Sequence, residues 1–315
     1  SYGRQVHRLY RVDQGLAGNQ GLTIMKQRAK KPVSSFLYNH PTLHRWALLV
    51  LPVGWMALVY VVALIALLIT ALWSVNEYTG AVEMTWTFDN LIQAFTDSLY
   101  LTVTERTLFI AVLATVIDIV LAFPIAFYMA RMASPRVRKL LVILVSTPLW
   151  AGYLVKAYAW RSVLSGSGVL DMILRPFGGH SPGYGLFAVI LVEVYLWLPY
   201  VITPIYTAFE QVPESLLEAS SDLGARSGVT IRKVLLPMIV PGVVAGSIFS
   251  FSLSLGDYIV AGIVGGKTQV LGNIIYTDVG VANNSPMAAA CALIPIIIIG
   301  VYLMLVSRTG ALKRL

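Results

Sequence analysis

The sequence is poor in charge and nearly devoid of cysteine. Only 12% of its 315 residues are Asp, Glu, Lys or Arg, against about 25% in an average soluble domain. So few solvating side chains exclude an ordinary water-soluble domain and point to lipid as the solvent. Cys291 is the single cysteine and lies inside the last apolar segment. It reads as small core filler, and neither a disulfide framework nor a cysteine-based zinc site can be built within the chain. The four histidines lack the spacing of a metal site, and no nucleophile–base–carboxylate set stands out. No cleavable leader is expected either, because residues 1–45 are polar and basic and the first apolar run is too long and too late. Met25-Lys26-Gln27-Arg28 reads as a start behind Ser1–Gln20, whose composition differs from the rest.

What is present is long apolar sequence. No charge occurs between Arg45 and Glu77, Lys233 and Asp257, or Asp278 and Arg308, and each gap exceeds the roughly 20 residues that cross a bilayer core. Three more runs are broken by one charge each: Arg106 to Arg131 by Asp118, Lys139 to Trp160 by Lys156, and Tyr184 to Glu210 by Glu193. The expected fold is an all-α membrane protein of about six spans. A cytoplasmic extension is expected over residues 1–45 and a membrane domain over 46–315.

The net charge of +8 would suit nucleic acid only if the basic residues formed a face or stripe; they sit between the apolar runs instead, and no nucleic-acid partner is expected. Lys and Arg near the membrane favour the cytoplasmic side. With the amino terminus inside, eighteen of the 23 basic residues fall in the cytoplasm and five outside. Both termini are then cytoplasmic, in a multi-pass protein of the plasma (inner) membrane. Prolines lie within the spans at 124, 148, 199, 204, 241 and 295, where kinks serve packing or a moving bundle. Gly242 and Gly246 form a G-x-x-x-G step that lets another helix approach, which ordinary packing explains.

The segment from Glu210 to Pro237 is too polar for the bilayer, yet it is patterned like short helices. Pro213 suits a first helical position, Gly224 suits the end, and Glu214 and Glu218 sit near the positive end of the dipole. Leu216, Leu217, Ser220 and Leu223 would share a face with nothing in this chain built to cover it, which marks a partner contact. A second turn is expected from Thr230 to Leu236, with Pro237 starting the return into the membrane.

Here the residues resemble a known family. Glu218-Ala219-Ser220, then Gly224, then Val234-Leu235-Leu236-Pro237 are similar to the cytoplasmic EAA loop of type I ABC importer permeases. That loop usually has Ala where Ser220 stands and Ile where Val234 stands. The resemblance runs from about Leu48 to the carboxy terminus. It implies a transmembrane permease domain in which Glu218, Ala219, Ser220, Gly224, Leu236 and Pro237 couple to an ATPase. It also implies two ATPase subunits, a second homologous permease and an external solute-binding protein, with ATP and Mg on the ATPase and no cofactor or enzyme activity in this chain. Lys156-Ala157-Tyr158-Ala159-Trp160, Trp197-Leu198-Pro199-Tyr200, Ser254-Leu255-Gly256-Asp257-Tyr258 and Pro286-Met287-Ala288-Ala289-Ala290 resemble the spermidine/putrescine class. Related permeases carry other small solutes. A secondary transporter or channel working without ATP is the other reading, although no internal duplication of the inverted-repeat kind is visible.

A charge at mid-bilayer costs at least about 2.5 kcal/mol, so Asp118, Glu193 and Asp257 each need a cavity or a partner. A polyamine would need carboxylates for its ammonium groups and aromatic faces along its methylenes. The substrate-path candidates are Asp257, Glu193, Tyr258, Trp160 and Tyr195, with Tyr153, Tyr158 and Trp197 as further faces. Equally, Trp and Tyr form interfacial belts, and the carboxylates could pair with Lys156 or Arg161. Ala261 to Thr268 fits a relaxed phosphate-loop pattern but follows an apolar span rather than a strand, so a glycine-rich or re-entrant turn is expected there. Asn283-Asn284-Ser285 is a glycosylation sequon only in a compartment that glycosylates.

Overall fold

The computed structural model describes the backbone of residues 41–308, Glu77 excepted, and the side chains from Leu49 onward, Leu51 excepted. Met25 and residues 1–40 of the expected extension lie outside the described residues. The first helix, α1, runs over Pro41–Ala71, and the chain parts into two units between Ile65 and Ala66, inside this helix. Residues 66–308 form the unit described below.

After α1 comes an antiparallel ribbon, β1 (Ser74–Val75) with β2 (Val82–Glu83), then the short helix α2 (Asp89–Thr96). The long helix α3 (Ser98–Phe127) ends in a π-helical turn, Tyr128–Met132. Asp97 caps its start by accepting the amide of Leu99 at 2.8 Å. Next come α4 (Pro135–Trp150), α5 (Tyr153–Leu164) and α6 (Val169–Leu174). The helix α7 spans Leu186–Glu210, and α8 spans Glu214–Asp222. Then follow α9 (Ser227–Thr230), a π turn at Ile231–Leu235, and α10 (Leu236–Leu255). The short helices α11 (Ile259–Val264) and α12 (Leu271–Gly280) lead to α13 (Ser285–Arg308).

Among the described residues, five helices are long and apolar enough to cross a membrane, or six if the bent pair made by α4 with α5 and α6 is one span. The continuous span expected over Lys139–Trp160 is therefore corrected to two helices meeting at 96°. The break falls at Ala151 and Gly152, both extended, with ψ of 137° and 134°. It leaves the Pro148 carbonyl without a helical donor, and Lys156 Nζ supplies one at 3.1 Å. That bond, not a carboxylate, is where Lys156 places its charge.

The core of the unit is the packing of α3, α7 and α10. Gly242 and Gly246 make the contact of α10 with α7 possible. A Cβ on Gly242 would lie 2.6 Å from the Pro204 carbonyl oxygen and 2.5 Å from Ala208 Cβ, and one on Gly246 would lie 3.0 Å from Val201 Cγ1. The G-x-x-x-G step is a packing device, as its spacing suggests.

Pro237 stands in the first turn of α10, as expected for the start of the return into the membrane. No break precedes it: α9, the π turn and α10 follow one another from Ser227 to Leu255, and the π turn just before Pro237 accommodates the amide that proline lacks. The phosphate-loop look-alike is a helix, α11, followed by a turn at Gly265 and Gly266, the latter at φ +60°; no strand precedes it.

Candidate functional site

The three carboxylates that interrupt the apolar sequence are brought to one helix. Ser250 Oγ on α10 donates to Asp118 Oδ2 of α3 at 2.6 Å. One turn on, Ser254 Oγ donates to Glu193 of α7. Two residues past the end of α10, Asp257 receives the phenolic hydrogen of Tyr153 from α5. Asp118 is 0%, Glu193 1% and Asp257 7% exposed. Among the described residues no ion pair reaches any of them, and Arg161 stacks over Tyr184 instead. Three acidic groups thus lie in a low-dielectric core where hydroxyls, and for Asp257 also backbone amides, supply the hydrogen bonds.

Asp257 has a structural task too. Its Oδ1 accepts the amides of Ile259 at 2.8 Å and Val260 at 3.2 Å, which caps α11 in the manner of an N-cap aspartate. Its other side borders a cavity of about 270 Å³ lined by Tyr153, Trp197, Leu253, Asp257, Tyr258 and Ile259. The rings of Tyr153 and Trp197 stack at 5.9 Å, and Tyr258 stacks on Tyr276 at 5.3 Å. Of the path candidates, Asp257 and Tyr258 line this cavity. Glu193 lies one helical turn before Trp197, outside the lining. Trp160 and Tyr195 form a separate edge-to-face pair at 5.3 Å. Ser250 escaped the sequence reading, since a serine in an apolar helix signals nothing until its carboxyl partner, 132 residues away, is known.

At the opposite end of α7 lies the expected coupling loop. Pro213 is the extended residue before α8 rather than its first helical residue. Gly224 at φ +74° ends the helix: its amide bonds to Ser221 O and that of Ala225 to Ser220 O, a Schellman closure that needs the left-handed backbone glycine allows. The anticipated common face is divided. Leu217 packs into the core beside Phe209 and Leu235, and Ser220 is buried, its hydroxyl 2.8 Å from that of Thr230. Leu216, Ala219 and Leu223 stay exposed, Leu223 at 87%. Glu218 is exposed as well, and so are Leu236 and Pro237 at the start of α10. The inward half of α8 fixes it to the bundle, while the outward half forms an apolar ridge.

A helical membrane unit with buried carboxylates, aromatic faces near one end and a short capped knob at the other is built as a permease. The chain belongs to the family of binding-protein-dependent transport system inner membrane components, which matches residues 122–309. It is 41% identical over 301 residues to the inner membrane ABC transporter permease protein YdcU of Escherichia coli K12, covering 90% of this chain and 95% of that one. It is 31% identical over 265 residues to the spermidine/putrescine transport system permease protein PotB of the same organism, covering 82% and 95%. In structure it resembles a chain of a bacterial ABC transporter involved in the import of alginate, at TM-score 0.68, 16% identity, and coverage of 89% and 98%. A chain of the inward-facing MetNI methionine ABC transporter follows at TM-score 0.53, 20% identity, and coverage of 66% and 93%. The fold is that of a type I ABC importer transmembrane domain, and the chain is an inner-membrane ABC importer permease rather than an ATP-independent transporter.

Proposed function

We propose that this permease conducts polyamines. The observation that carries the reading is Asp257, a carboxylate with no cationic partner among the described residues, at the wall of a cavity whose other walls include the rings of Tyr153, Trp197 and Tyr258. An alkylammonium needs an acceptor for its hydrogens and π-faces for its charge, each face contributing roughly 0.5–2 kcal/mol. Similarity to PotB supports the same substrate class. Glu193, Trp160 and Tyr195 are proposed to serve further along the path. The working complex would comprise two ATPase subunits carrying ATP and Mg, a second homologous permease and an external binding protein, with hydrolysis outside this chain. Glu218, Ala219, Gly224, Leu236 and Pro237 would meet the ATPase, with Ser220 holding the knob in place. The end of the bundle bearing Arg131, Arg138 and α8 would face the cytoplasm, as would both termini.

The test is uptake by the reconstituted complex in proteoliposomes, with labelled spermidine and putrescine set against neutral sugars and amino acids. Polyamine uptake that requires internal ATP and the binding protein is expected. Preference for a neutral solute would overturn the substrate assignment while leaving the permease assignment intact.

A further inference from the structure

The end of α3 and the end of α7 are joined by one arginine. Arg131, in the π turn that closes α3, donates through a single terminal nitrogen to Phe209 O and Val212 O, both at 2.6 Å. The last carbonyls of a helix have no intrahelical donor, and a cation there also meets the negative end of the dipole. The apolar half of the same joint lies above it. Phe209 is fully buried and sits edge-on to Phe123 at 5.5 Å and Phe127 at 5.6 Å. Phe123, Phe127 and Arg131 recur every four residues, so one stripe of α3 grips the end of α7. The stripe is backed from α4, where Arg138 donates to Met129 O at 3.0 Å and Ala130 O at 2.9 Å.

Val212 is followed directly by Pro213, the residue before α8. Any push on α8 therefore reaches Arg131 through one buried residue. Beneath α8 lies a cavity of about 480 Å³, with Arg131, Glu214, Glu218 and Leu217 in its wall. Neither glutamate forms an ion pair with Arg131 among the described residues; one terminal nitrogen of the arginine holds the two carbonyls, and its buried Nε has no hydrogen-bond partner there. A knob set over a void would rock into it unless its root were held.

We infer that Arg131 is a positioning residue that locks the root of the coupling helix to α3, so that α8 and the transmembrane core move as one body. The inference rests on the coupling role proposed for α8. A lysine would place a point charge near the carbonyls, but its flexible stem does not fix the direction of its hydrogens as the rigid guanidinium plane does for the one terminal nitrogen used here.

The test uses the complete reconstituted complex, reading ATP hydrolysed against solute imported. Arg131→Met, which keeps length and loses every donor, is expected to assemble with the ATPase and hydrolyse ATP. It should consume at least about fivefold more ATP per solute, the lower end of the range over which two sites are coupled. Arg131→Lys should recover part of the ratio. In a Cys291→Ala background, spin labels at Met132→Cys and at Ser215→Cys, which is exposed on α8 and is not a ridge residue, should show a narrow distance distribution that Arg131→Met broadens. Should Arg131→Met fail to assemble, Arg131→Gln is held to the same criteria. An unchanged ratio together with an unchanged distribution overturns the lock. Absence of solute-stimulated hydrolysis in the unmodified complex overturns the coupling role itself, and the lock with it.

Discussion

Tyr153 and Asp257 lie 104 residues apart, yet the phenol of the first donates to the carboxylate of the second. That bond ties α5, the second half of the bent pair, to the turn that leads into α11. Because the same carboxylate caps α11 with its other oxygen, Asp257 has two separable properties, its shape as an acceptor and its charge.

Asp257→Asn keeps an acceptor for Ile259 and Val260, and Asn caps helices about as well as Asp. Its melting temperature in detergent should stay close to wild type, whereas Asp257→Ala should lose about 1–2 kcal/mol. Polyamine uptake should fall in both, because the charge is gone in both. Wild-type uptake by Asp257→Asn would remove the charge of Asp257 from the path.

The buried pair Ser250 and Asp118 calls for a cycle. Ser250→Ala leaves Asp118 with no hydrogen-bond partner at 0% exposure, since Oδ1 already lacks one. A cost of about 1–3 kcal/mol is expected. Adding Asp118→Leu to Ser250→Ala should recover part of it, because removing both polar groups is cheaper than orphaning one. Strict additivity of the two changes in chemical unfolding would show that the pair is not coupled.

Most of the helical plan was legible because lipid makes the code coarse: a charge-free run longer than the bilayer is a helix almost regardless of detail. What was not legible depended on hydrogen bonds made in three dimensions. The 96° bend follows from two extended residues after Pro148 and from a lysine that replaces the lost donor, none of which a hydropathy count registers. The ribbon at 74–83 is too short for an alternating pattern. At the site, the carboxylates announced themselves by their rarity, and Gly224 by its place in a loop motif. Ser250, Arg131 and Arg138 did not, since a serine in an apolar helix and basic residues at its end have ordinary readings until their partners are placed.

The glycine step gives a graded prediction. Gly242→Ala puts a methyl 2.6 Å from backbone at Pro204, which cannot move cheaply, so a loss of about 1–3 kcal/mol is expected. Gly246→Ala meets Val201 Cγ1 at 3.0 Å and the Val201 backbone at 3.2 Å, a looser approach than that at Gly242, and should lose less. Gly300→Ala meets nothing within 4 Å and should be neutral or slightly stabilising. Equal melting temperatures for all three would contradict the close approach of α10 to α7.

Gly224 separates backbone from contact. A Cβ there meets nothing within 4 Å, but φ is +74°, so any penalty comes from conformation and not from crowding. A β-branched residue should cost roughly 1–2 kcal/mol in this region, whereas Asn tolerates it far better. Under Gly224→Val the Schellman closure opens and Leu223 leaves its position on the ridge. ATPase co-purification and solute-stimulated hydrolysis should then drop while the bundle stays folded, with Gly224→Asn close to wild type. If Val and Asn behaved alike, the left-handed turn would not be what presents the ridge.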